Sequence, residues 1–166
     1  MARSFDILAE SVANVDQIHA AFGREDYWLD RLAGDVSASL DSLVVETDGT
    51  VAVQLTQYLG RQLLPGAVAK LIPGDLKLLY REAWRPPADD GHVHGKATVA
   101  VGELGSSEAT NLLAPTANGS QLRAALTVQV KIPFVGGALE KTIGAGLTQS
   151  IPSVLRFTTT WIAEHA

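Results

Sequence analysis

From Gln121 to Ile132 apolar and polar residues alternate with a period of two, which puts Leu126, Val128 and Val130 on one face. Such alternation marks a half-buried strand. After a Pro-Gly hinge the period becomes helical, and Leu139, Ile143, Leu147, Ile151, Val154 and Leu155 fall on one stripe. The pattern predicts a helix from Gly136 to Glu164, roughly 40 Å long at about 1.5 Å per residue. Pro152 should kink it, and Gly144 and Gly146 each weaken its interior by about 1 kcal/mol relative to Ala. Two small residues in mid-helix fit the close approach of something bulky, either sheet side chains or a ligand.

The rest of the chain yields to the same reading. Phe5, Ile7 and Ala9 alternate and predict a strand over Arg3 to Ser11. Asn14 reads as an N-cap, with Gln17 completing a capping box. Val15, Ile18, Ala21 and Phe22 form a helical stripe that Gly23 stops. A second short helix is predicted over Glu25 to Leu32, with Trp28, Leu29 and Leu32 inward. Val36, Ala38 and Leu40 alternate, but Leu43 and Val45 fall on the opposite parity, which predicts a bulge near Asp41-Ser42. Asp48-Gly49 is a turn, and Val51, Val53 and Leu55 follow in phase.

Pro65 to Pro73 is punctuated at both ends, as a short helix or a loop over a cavity mouth would be. Beyond it Leu76, Leu78, Tyr80 and Trp84 share one parity while Lys77, Arg81 and Arg85 share the other. A turn-rich connection, Pro86 to Gly91, leads to strands predicted over His92 to Leu104, Glu108 to Pro115 and Gln121 to Ile132. No internal repeat or linker divides the chain, and residues 1–166 read as one domain.

Composition narrows the classes. The chain has 166 residues, 46% of them hydrophobic, enough for one sizeable core. A net charge of −5 and an aromatic content of 6% argue against a nucleic-acid partner. With no cysteine, disulfides and thiolate chemistry are excluded. Asp6 and Glu10 break the apolar character of the first ten residues, so no signal peptide is expected. No apolar run approaches the ~18 residues of a membrane span. The expectation is a soluble, cytoplasmic protein without stable membrane insertion, in which Asn118-Gly119-Ser120 is a hairpin turn rather than a glycosylation site.

The order of elements, together with Arg3-Ser-Phe-Asp6, Tyr80-Arg-Glu-Ala-Trp84 and Lys131-Ile-Pro-Phe-Val-Gly-Gly-Ala-Leu-Glu-Lys141, resembles the START-related lipid-transfer and polyketide-cyclase superfamily, in an uncharacterised bacterial branch. The resemblance spans essentially the whole chain. It implies an α+β helix-grip fold: a curved antiparallel sheet wrapped around a long C-terminal helix, with two short helices after the first strand. It also implies a hydrophobic cavity between sheet and helix. It supplies no catalytic residue and no cofactor.

Several residues are candidates for the site. Tyr80 and Trp84 lie four apart on the apolar parity of one strand, each an apolar body with a polar tip. Facing a cavity they can stack on a ring and orient it; otherwise they fill ordinary core. Leu126 and Val128 on the last strand, with Leu139, Ile143 and Leu147 on the helix, would form the two walls. Glu82 is the odd carboxylate, because alternation places it with Tyr80 and Trp84, and burying it alone is costly. It pairs with an Arg, lies at the rim, or anchors a ligand. His92 and His94, beside Asp89 and Asp90, resemble part of a zinc site but lack a third ligand in fixed geometry, and the reading is a solvated hairpin. Glu140-Lys141-Thr142 after Gly136-Gly137 fails the phosphate-loop spacing.

Three functions follow. The first is binding of a small hydrophobic ligand, lipid-like or aromatic, with the Leu64 to Gly74 segment or the early helices moving to admit it. The second is an enzyme like the cyclases or dehydratases of the superfamily, ranked lower because no dense inward polar cluster appears. The third is a protein-interaction module with a filled core. The oligomeric state is not legible.

Overall fold

The computed structural model describes residues 2–60, 62, 66–70 and 74–166. In chain order the elements are β1 (Ala2–Ser11), α1 (Val15–Phe22), α2 (Glu25–Leu32), β2 (Ala38–Val45), β3 (Val51–Leu59), α3 (Gly66–Ala69), β4 (Leu76–Trp84), β5 (Val93–Val101), β6 (Gly105–Thr116), β7 (Gly119–Val130) and α4 (Gly136–Glu164). The strands form one antiparallel sheet in the order β1-β7-β6-β5-β4-β3-β2. Helix α4 lies mainly across β1 and β7, the α+β helix-grip arrangement that the order of elements predicts.

Local chemistry accounts for the boundaries. The capping box at Asn14 is closed in both directions: the Gln17 amide donates to Asn14 Oδ1 at 2.8 Å, and the Asn14 amide donates to Gln17 Oε1 at 2.9 Å. Gly23 caps the other end of α1. The β2–β3 register slips between Leu40 and Ser42, where the change of parity predicts a bulge. Gly49 turns that hairpin at φ +94°, a conformation only glycine adopts without strain. The β6–β7 hairpin closes across Thr116 and Gly119. Within the segment from Leu64 to Gly74, residues 64, 65 and 71–73, including both bounding prolines, lie outside the described residues.

Two sequence expectations are corrected. On α2 the inner positions belong to Tyr27 and Trp28, both fully buried, while Leu29 is 52% exposed. One further step of about 100° along the helix carries Leu29 past the core. On α4 the buried line is Gly136, Glu140, Gly144, Leu155, Thr158 and Trp161 rather than a continuous aliphatic stripe. The N-terminal half of α4 sits so close to β1 that a Cβ on Gly144 would meet the Phe5 ring at 2.0 Å. Bulky side chains are therefore displaced sideways, and Ile143 ends at 41% exposure.

The main core joins α1, α2, β3, β4 and the C-terminal half of α4 around Phe22, Tyr27, Trp28, Trp84 and Trp161. Tyr27 meets both Trp28 and Trp161 edge-on at 5.3 Å, the arrangement that ring quadrupoles favour. A second cluster under the middle of α4 contains Ile7, Ala109, Ala124 and Leu126. A third gathers Ile132, Leu76, Leu104 and Leu139 where β7 passes into α4.

Candidate functional site

The inner face of the sheet is built of small residues at its centre. Cross-strand registers place Glu82, Ala97, Ala109 and Leu126 in one row, and Trp84, Gly95, Asn111 and Ala124 in the next. Trp84 folds over Gly95 so closely that a Cβ there would meet the indole at 2.4 Å. Ala97 and Ala109 carry too little side chain to reach α4. Between them and the helix lies a cavity of about 170 Å³, walled on the helix side by Leu147, Ser150, Ile151, Val154, Leu155 and Thr158. Ser150 is exposed, so the wall reaches solvent there.

Two polar features face this apolar space. The first is an ion pair in which Arg31, from α2, approaches Glu82 Oε2 at 3.6 Å. Trp84 Nε1 donates to the other oxygen of Glu82 at 3.2 Å, and the Arg31 guanidinium stacks on Trp28 at 4.6 Å. Burial works against the Arg31 charge, but the facing Glu82 and Tyr27 more than offset it, so its pKa lies above the ordinary value. The second feature is Asn111, 6% exposed, whose side chain makes no hydrogen bond with any described residue. Its amide atoms are not sealed within the protein and open onto the cavity, where a guest or water can pair with them.

Of the site residues proposed from sequence, Tyr80, Glu82, Trp84, Leu126 and Leu147 come together in the lining. Val128 is buried one row further along β7, Leu139 joins the cluster around Ile132, and Ile143 points outward. The polar tips of the aromatic pair are already occupied. Tyr80 donates to Gln57 Oε1 at 2.8 Å, and Gln57 in turn donates to Asp35 at 2.6 Å. Burial first, then the negative Asp35, raise the Tyr80 pKa above 10.0, with Arg31 opposing them.

Arg31 and Asn111 are absent from the sequence-based site. Asn111 carried a signal, since it shares the apolar parity of Ala109 and Leu113. Arg31 carried a fainter one, three residues after the inward Trp28. His92 binds Asp90 at 2.7 Å in the turn before β5, and His94 is exposed on the outer face of that strand. Among the described residues no group of three or more His, Cys, Asp or Glu is placed to hold a metal, and no helix is long and apolar enough to cross a membrane.

Comparison with known proteins adds relatives and neighbours. A family model described as "Protein of unknown function (DUF2505)" matches residues 6–162. Uncharacterized proteins of Mycobacterium tuberculosis and Mycobacterium bovis are 37% identical over 179 residues, covering 99% of this chain and 99% of theirs. Among solved structures, Ara h 8.0201 superposes with a TM-score of 0.60 at 12% identity, covering 99% of both chains. The di-domain ARO/CYC StfQ of the steffimycin biosynthetic pathway gives 0.60 at 16% identity, over 99% of this chain and 52% of that one. Norcoclaurine synthase from Thalictrum flavum, in complex with dopamine and hydroxybenzaldehyde, gives 0.52 at 17% identity, over 100% of this chain and 89% of that one. At these identities the likeness is one of fold.

Proposed function

We propose that this chain, which belongs to the DUF2505 family within the START-related helix-grip superfamily, binds a small hydrophobic molecule between its sheet and α4. The observation that carries the reading is the cavity floored by Ala97, Ala109 and Asn111 beneath Leu147 and Ile151. Its size narrows the lipid-like or aromatic class expected from sequence. Drug-sized ligands fill roughly 300–1,000 Å³, whereas an apolar hole of about 150 Å³ holds benzene. At about 170 Å³, a one-ring molecule fits within the walls, whereas a long acyl chain would have to run out through the opening at Ser150. Burial is the driving force, at about 25 cal/mol per Å² of apolar surface removed from water.

Glu82 is committed to Arg31 and Trp84, and the Tyr80 hydroxyl to Gln57. General acid–base catalysis needs a group free to take or give a proton at the substrate, so binding is favoured over turnover of the cyclase type. The solved neighbour in complex with dopamine and hydroxybenzaldehyde holds small aromatic molecules, which supports the aromatic class of ligand. Native mass spectrometry of gently purified protein tests the reading. A bound species of one-ring size, lost on mild activation, is expected. Bare protein that also fails to take up added toluene would overturn it.

A further inference from the structure

The polar groups of the cavity say which molecules of that size can enter, an inference that rests on the binding reading above. Arg31 and Glu82 neutralise each other, and each has a further protein partner, Trp28 for the guanidinium and Trp84 for the carboxylate. An anionic guest must displace Glu82 from Arg31 or leave its own charge unpaired among apolar walls. A cationic guest faces the same choice with the roles reversed. Neither charge of the pair is free, and unpaired charge in such a space is heavily penalised.

Asn111 is in the opposite condition. It is 6% exposed, lines the cavity, and makes no hydrogen bond with any described residue. It lies two strands and one row from Glu82, roughly 12 Å away at ordinary strand spacing and rise. A guest bonded to Asn111 therefore need not disturb the ion pair. Its side-chain amide offers both a donor and an acceptor, which suits a hydroxyl or a carbonyl.

We infer that the ligand is an uncharged one-ring molecule carrying a hydroxyl or carbonyl group, that Asn111 is the residue that recognises this group, and that the Arg31–Glu82 pair excludes ions. Four probes of similar size separate the terms: toluene, phenol, benzoate and benzylammonium, titrated at neutral pH against the indole N–H signal of Trp84. Phenol should bind at least as tightly as toluene, and both ions should bind at least about tenfold more weakly. Asn111→Leu should weaken phenol by about tenfold while leaving toluene nearly unchanged. Glu82→Gln, which keeps an acceptor for Trp84 and releases Arg31, should strengthen benzoate by about tenfold.

Should Asn111→Leu fail to fold, Asn111→Ala and the four wild-type affinities still decide. Exclusion of phenol, equal weakening of phenol and toluene by the Asn111 variants, or an ion bound as tightly as phenol overturns this inference and leaves the binding reading standing. Absence of binding by every probe, toluene included, overturns both.

Discussion

Tyr27 shows how one side chain can couple packing to pH. Its ring lies between Trp28 and Trp161, and its hydroxyl meets Thr158 Oγ1 at 2.6 Å. Thr158 gives its own proton to the Val154 carbonyl, so Tyr27 is the donor between them. Burial raises the Tyr27 pKa above its ordinary 10.0, opposed by Arg31, and Tyr80 moves the same way. The folded chain holds these protons more tightly than the unfolded chain does. The stability they contribute is therefore whole below about pH 10 and is lost as pH rises through their folded values. Urea unfolding across the alkaline range should show that decline, and Tyr27→Phe should flatten it, at a cost of about 1 kcal/mol at neutral pH for the lost hydrogen bond. An unchanged alkaline slope in the variant would refute the assignment. Glu82 makes a related point. Its inward parity is visible in the sequence, but its partner is a residue of α2, some fifty positions earlier in the chain.

Among the elements, α4 has two mid-helix glycines that look equivalent in sequence and are not. Gly144 lies against the Phe5 ring, whereas a Cβ on Gly146 would meet nothing within 4 Å. Gly144→Ala should destabilise by about 1–3 kcal/mol, the usual cost of overpacking. Gly146→Ala should stabilise by up to about 1 kcal/mol through helix propensity. Urea midpoints of the two variants moving in the same direction would contradict this placement of the helix. The bounds of α4, Gly136–Glu164, follow from period and punctuation, as do the capping box of α1 and the bulge of β2. Which face of α4 is buried does not follow. Periodicity orients a helix toward apolar surroundings in general, while the depth at which it sits depends on the strand beneath it. The entry to α4 adds a local constraint: Phe134, at φ +69°, is fully exposed where β7 gives way to the helix, and Glu140 reaches back to accept from the Val130 amide at 2.8 Å.

For the molecule as a whole, the empty volume comes from the coincidence of small residues on separate strands. Ala97 on β5 and Ala109 on β6 meet over the hollow only because the registers align them, while the Trp84 ring already fills the space over Gly95. Filling that space should be well tolerated. Ala97→Leu should remain within about 1 kcal/mol of the parent in urea unfolding, where added bulk in a packed core costs about 1–3 kcal/mol, and it should abolish toluene binding. A large loss of stability would mean that the space is not available to a side chain. The order of strands and helices, the bounds of α1, α2 and α4 and the inward parity of Tyr80, Glu82, Trp84 and Leu126 were readable along the chain, because period, capping and turn chemistry act between near neighbours. The hollow, the Arg31–Glu82 pair, the unpaired Asn111 and the outward turn of Ile143 arise from contacts between distant segments. A strand facing a cavity and a strand facing packed core carry the same alternation, and only the assembled sheet and helix distinguish them.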